Sequence, residues 1–169
     1  MAKPPAARVL DQRKVPYELF EFDDSIRDAV QVAAAIGHAP SDVYKTLVVE
    51  EEPPRGKPHL VIVRADHELD LKAFAASAGL KRARMASQRD AERITGLKVG
   101  GISALALIGK GFVTHVVTTV DTDDQVVVSA GQRGADVRLR LSDLLAVTGA
   151  TVLTGCSRPS PEPTSGPIA

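Results

Sequence analysis

The strongest constraint on this chain is how its β-branched apolar runs are spaced between short helical patterns. Tyr17–Phe22, Val43–Glu50, His59–Arg64, Thr114–Val120 and Val126–Ser129 read as strands. Weaker strand patterns occupy Lys81–Met85, Val137–Leu141 and Thr151–Leu153. Helical patterns cover Ala6–Lys14, Ala29–Ile36, Leu71–Ala78, Ser87–Ile94 and Asp143–Val147. Gly37, Gly79 and Gly96 end three of them, and Asp24 or Ser25, Asp70 and Ser142 offer capping oxygens. Pro53-Pro54-Arg55-Gly56 joins Val43–Glu50 to His59–Arg64 as a hairpin, and the two later runs at 114–120 and 126–129 are expected to pair. Strands and helices mix without strict βαβ alternation. That predicts an α+β or mixed α/β domain rather than a doubly wound sheet.

With 169 residues, 44% of them hydrophobic, the chain is long enough for one domain with its own core. Residues 1–156 are expected to form it. Ser157–Ala169, rich in Pro, Ser and Thr, reads as a disordered tail. The lone Cys156 excludes an internal disulfide and favours a reducing cytoplasm. No apolar run approaches the roughly 18 residues of a membrane span, and no signal-peptide core follows Met1. The formal net charge is zero, with 21 basic and 21 acidic residues, which argues against a bulk nucleic-acid packaging protein but leaves room for a local basic face.

The sequence lacks a P-loop, a Rossmann glycine fingerprint, an HExxH and a G-x-S-x-G elbow. His38, His59, His67 and His115 lack metal-ligand spacing, so no metal or cofactor is expected. Four segments remain. Lys45 and Thr46 open an apolar strand: Lys45 reads as a solvated edge residue, or as a cation holding charge on a carbonyl or ribose oxygen. Leu69-Asp70-Leu71-Lys72 starts a helix. Gly100-Gly101-Ile102-Ser103 reads as a tight turn, or as a loop whose amides cradle an oxyanion. Ser129 to Asp136, containing Gly131, Arg133 and Gly134, reads as a hairpin turn, or as a loop that grips a ligand.

Taken together and in this order, these segments resemble the YbaK family of aminoacyl-tRNA deacylases, related to the editing domain of bacterial prolyl-tRNA synthetase. The resemblance covers roughly residues 5–154. It implies a curved, barrel-like mixed sheet flanked by helices. It also implies a trans-editing enzyme that cleaves the ester of mischarged tRNA, most similar to members acting on Cys-tRNA(Pro), where the substrate thiol attacks its own carbonyl. By this resemblance Lys45 is the catalytic cation. Thr46, Gly100, Gly101, Ile102, Ser103, Ser129, Gly131, Arg133, Gly134, Asp136 and Phe22 contact substrate. The sequence departs from close relatives at Phe22, where an aromatic hydroxyl is common, and at Ala104, where Pro is common. Mischarged tRNA is the expected partner, with prolyl-tRNA synthetase as a second. Oligomeric state stays open between monomer and homodimer. Lys72, Lys81, Arg82, Arg84 and Lys98 read either as a solvated basic face or as a surface tracking tRNA phosphates. The alternatives are an Ala- or other small-residue-specific deacylase and a non-catalytic tRNA- or synthetase-binding module.

Overall fold

The computed structural model describes residues 2–161. The chain runs α1 (Pro5–Gln12), β1 (Glu18–Glu21), α2 (Ala29–Ile36), β2 (Tyr44–Glu51), β3 (His59–Arg64), β4 (His67–Leu69), α3 (Leu71–Ala78) and β5 (Ala83–Met85). It continues through α4 (Gln88–Thr95), β6 (Val113–Val117), β7 (Gln125–Gln132), β8 (Ala135–Arg140), α5 (Leu141–Thr148), β9 (Thr151–Leu153) and β10 (Ser157–Pro159). No helix among the described residues is long and apolar enough to cross a membrane.

The fold is mixed α/β. A five-stranded sheet has the order β5-β2-β3-β6-β9, and a three-stranded sheet the order β1-β8-β7. In the larger sheet β5, β2 and β3 are antiparallel, while β3, β6 and β9 are parallel. One parallel bridge, Val43 to Val127, joins the two sheets at the start of β2. The main core lies between them. Tyr44, Val48, Leu60 and Ile62 meet Val126, Val128, Val137 and Leu139 there, sealed by Leu10 of α1 and Leu144 of α5. Phe74 of α3 covers the opposite face of the large sheet, over Val49, Val61 and Val63. Ala29, Ala33 and Ile36 of α2 cover Val43 and Val127, where the sheets join.

Four expectations need correction. The runs at 114–120 and 126–129 do not form a hairpin: β6 lies in the five-stranded sheet and β7 in the three-stranded one. The Thr118 amide donates to Leu153 O instead of to a β7 partner. Helix α2 is capped by Asp28, whose carboxylate accepts from Val30 and Gln31 amides, not by Asp24 or Ser25. Helix α5 has no side-chain cap. Its Leu141 and Ser142 amides donate to Asp124 and Thr122 carbonyls, so the turn before β7 satisfies groups that a Ser142 hydroxyl was expected to serve.

The chain is also ordered beyond residue 156. Ser157–Pro159 forms β10, paired antiparallel with β4. A Pro- and Ser-rich segment can pair without an apolar face when backbone and polar contacts hold it. Here Ser157 Oγ bonds His67 Nδ1 at 2.9 Å, Arg158 pairs with Glu68 at 2.8 Å, and the fully buried Cys156 anchors the turn. Residues 162–169 of the expected tail lie outside the described residues.

Candidate active-site cleft

Strand β2 is covered on one side by β3 along most of its length, but β5 pairs only with Val49–Glu51 on the other. The chain then turns away after Ala86, whose amide donates to Val48 O. N–H and C=O of one strand residue point the same way and alternate along the strand. Thr46, two residues before Val48, therefore turns its amide and carbonyl toward the same side, where no strand pairs with it. A cleft of about 380 Å³ fills that gap. Arg27 to Val32 around the start of α2 form one wall, and Met85 to Ala91 another. Val99, Gly100 and Ile102 close the third side, with Ser129 and Asp136 beside them.

Lys45 lines this cleft half-buried, with Nζ 3.4 Å from Ala65 O. Burial lowers its pKa, while Asp28, Asp66 and Glu68 partly oppose that shift. Each of those carboxylates is engaged elsewhere: Asp28 on the α2 amides, Asp66 with Arg64 and Glu68 with Arg158. The ammonium is thus a poorly solvated cation whose acidic neighbours are already bound. Beside it, Thr46 Oγ1 is buried without a partner among the described residues.

Asp136 also lines the cleft, 6% exposed, and burial pushes its carboxyl up to about 7. It stands opposite Ser129 on one side and Phe20 on the other. Ser129 Oγ accepts from the Gly131 amide. The lining holds no Cys or His, and the only Tyr hydroxyl, Tyr44, bonds Thr118 at 2.6 Å. No hydrogen bond among the described residues joins a hydroxyl of the lining to a base, the pairing that nucleophilic catalysis by the protein relies on.

The remaining expected residues divide. Gly100 lines the cleft with φ of +91°, a conformation that favours glycine. Gly101 does not line it. Its amide donates to Lys98 O, and a Cβ there would meet Arg133 N and Gln132 C at 2.7 Å. Gly101 is a close-packing residue that seats the loop on the β7–β8 turn, so its amide is not free for an oxyanion. The Gly100 and Ile102 amides have no backbone acceptor among the described residues.

Arg133 is likewise away from the cleft and donates to Val99 O at 2.8 Å, bracing the loop from behind. Ser103 is buried, and its Oγ accepts from the Ala106 amide at the start of the turn Leu105–Leu107. Neither Gly131, at the register shift within β7, nor Gly134, in the β7–β8 turn close against Phe22 O, lines the cleft. Phe22, just past β1, donates its amide to Gly134 O; neither it nor Phe20, in register with Asp136, lines the cleft. Of the basic residues, Arg84 pairs with Glu50, Lys72, Lys81 and Arg82 are exposed away from the cleft, and Lys98 lines a neighbouring hollow. Sequence reasoning missed Arg27, Asp28, Val32 and Met85 in the walls, because nothing local marks them as neighbours of β2.

Comparison with known proteins agrees with this architecture. The family model described as an aminoacyl-tRNA editing domain matches residues 23–147. An Enterococcus faecalis protein, EbsC, named as a candidate Cys-tRNA(Pro)/Cys-tRNA(Cys) deacylase, is 32% identical over 145 residues, 85% of this chain and 87% of that one. The crystal structure of a candidate trans-editing enzyme for prolyl-tRNA synthetase matches with a TM-score of 0.72 at 26% identity, over 91% of this chain and 98% of that one. The hypothetical protein APE2540 shares the fold, with a TM-score of 0.80 at 23% identity, over 91% and 99% of the two chains.

Proposed function

The chain belongs to the aminoacyl-tRNA editing-domain family, and on that premise we propose that it is a trans-acting deacylase of mischarged tRNA, with Cys-tRNA(Pro) as its substrate. The observation that carries this reading is the half-buried Lys45 ammonium in the same cleft as the unpaired β2 edge, Asp136, and Gly100 and Ile102, whose amides have no backbone acceptor among the described residues. These are donors for charge developing on an ester oxygen and an acceptor for the substrate's amine, in a site partly shielded from water.

The missing protein nucleophile is supplied by the substrate. The cysteine thiol attacks its own ester carbonyl, forming the C–S bond of a thiolactone. The ester C–O bond breaks, and the thiol proton ends on the released ribose oxygen. The attack is intramolecular, so the protein's task is orientation and charge stabilisation. The Thr46 amide and Lys45 face the carbonyl and leaving oxygens, and ionised Asp136 holds the α-ammonium. A link to prolyl-tRNA synthetase follows from the substrate, since that enzyme would make the mischarged species.

The second reading is an Ala-tRNA(Pro) deacylase. One observation favours it: a carboxyl pushed up to about 7 is suited to take a proton from water near neutral pH. Deacylation of Cys-tRNA(Pro) and Ala-tRNA(Pro) by wild type and Lys45→Ala, with thiolactone followed as product, separates the readings. Rapid thiolactone release with little alanine loss supports the first. Alanine release at comparable rate sinks it. Binding of charged tRNA without ester loss would leave a non-catalytic module.

A further inference from the structure

A second hollow of about 490 Å³ adjoins the cleft and has no role in the chemistry above. Asp24, Ser25, Arg27, Lys98, Gln132 and Arg133 supply its polar lining. Arg27 lines both cavities, so it is their common wall. It is held there by packing: a Cβ on Gly100 would lie 3.1 Å from Arg27 Cβ. The bare glycine lets the arginine backbone approach the loop that closes the cleft.

The charges of the hollow are unevenly engaged. The Arg133 guanidinium donates to Val99 O and lies 3.9 Å from Glu92. Arg27 and Lys98 are exposed, and neither is in an ion pair among the described residues. Asp28, next to Arg27, has its carboxylate on the α2 amides, leaving Asp24 as the one acidic residue in the lining. A ligand anion therefore meets two available cations at the exit of the cleft.

A tRNA whose terminal ester sits at Lys45 must leave the cleft through its ribose 5′ oxygen, which carries a phosphodiester. We propose that this second hollow is the seat of the phosphodiester preceding the terminal nucleoside, with Arg27 and Lys98 as its cations. The proposal rests on the editing reading for its ligand. Phosphate contacts fix register without reading sequence, and the Arg27 fork matches two phosphate oxygens. This route differs from the basic residues Lys72, Lys81 and Arg82, which line neither cavity.

The test compares two substrates and one binding measurement. Cys-tRNA(Pro) carries the phosphodiester; 3′-O-cysteinyl adenosine carries the ester and base without it. For Arg27→Glu and Lys98→Glu, kcat/KM on the tRNA should fall relative to the adenosine ester by on the order of tenfold, through KM, with Arg27→Lys restoring only part of it because a lysine cannot reproduce the fork. Uncharged tRNA should bind Lys98→Ala with a log K against log salt slope shallower by about 0.7–0.9. Equal losses on both substrates, or an unchanged KM for tRNA in both reversals, would overturn the proposal. If wild type cleaves neither ester, the editing reading fails by itself. Uncharged-tRNA binding then decides the hollow: weakened binding in both charge reversals keeps it, and unaltered binding removes it.

Discussion

The cleft around Lys45 and the histidine pair beneath α3 are two half-buried polar clusters that the same fold treats in opposite ways. In the pair, His59 Nδ1 lies 3.0 Å from His115 Nε2, the rings stack, and Phe74 meets both edge-on. The polar groups there answer one another, and apolar packing excludes other partners. His115 Nδ1 is buried without a partner among the described residues. Burial first, and the neighbouring ring second, push His115 down to about 4, while burial lowers His59 against the opposing pull of Glu51. In the cleft, Lys45, Thr46 and Asp136 do not pair with one another and an opening is kept beside them. Paired polar groups in a closed core serve structure. Unpaired ones along an open cavity are held ready for a ligand, at some cost in stability.

The largest expected effect tests that contrast directly. Lys45→Ala should lower kcat/KM for Cys-tRNA(Pro) by on the order of 10²–10³, with the circular dichroism spectrum intact. His115→Phe should leave that rate within about threefold; a loss matching Lys45→Ala would erase the distinction between the clusters. Next comes Gly101→Ala. Its Cβ would lie 2.7 Å from two backbone atoms of the β7–β8 turn, so thermal unfolding should show a loss of about 1–3 kcal/mol. An unshifted melting midpoint would refute close packing as the reason for glycine there.

Two smaller effects oppose each other in pH. Folding raises the Asp136 pKa from 3.8 to about 7, so the folded state binds its proton more tightly than the unfolded state. Its stabilising contribution is complete below about pH 3.8 and is lost as pH rises toward 7. Asp136→Asn should therefore become progressively more stable than wild type across that window. His115 runs the other way. Its pKa falls from 6.5 to about 4 on folding, so stability is full above 6.5 and is lost as pH drops toward 4. His115→Phe should flatten that acid limb, measured by denaturant midpoints at successive pH values. Parallel pH curves for a variant and wild type would remove the corresponding group from the account.

Much of this molecule was legible locally. The bounds of α2 and α3 follow from apolar spacing and the left-handed Gly37 and Gly79 that end them. Lys45 and Asp136 were identified by motif resemblance, and both line the cleft. Gly101 and Arg133 came with the same motifs, yet the structure uses them to seat and brace the loop rather than to line the cavity. A motif records that residues matter together; it does not say which face the ligand. Phe22 lies just past the end of β1, where its amide serves Gly134 O, and neither it nor Phe20, in register with Asp136, lines the cleft. Ser157–Pro159 was missed because a short strand held by backbone pairing carries no apolar signature.

By itself, then, the order of residues determined most of the elements, their glycine stops and the absence of a nucleophile-elbow or metal motif, because these depend on contacts a few positions apart. Only tertiary structure decided that β6 and β7 join different sheets, that β2 keeps a bare edge at Thr46, and that Arg27 stands over Gly100. The β3 partner of β6 lies 54 residues back, His59 against Val113, and Arg27 lies 73 residues before Gly100; local propensity contains no information about which distant strand or loop will take up a free hydrogen bond.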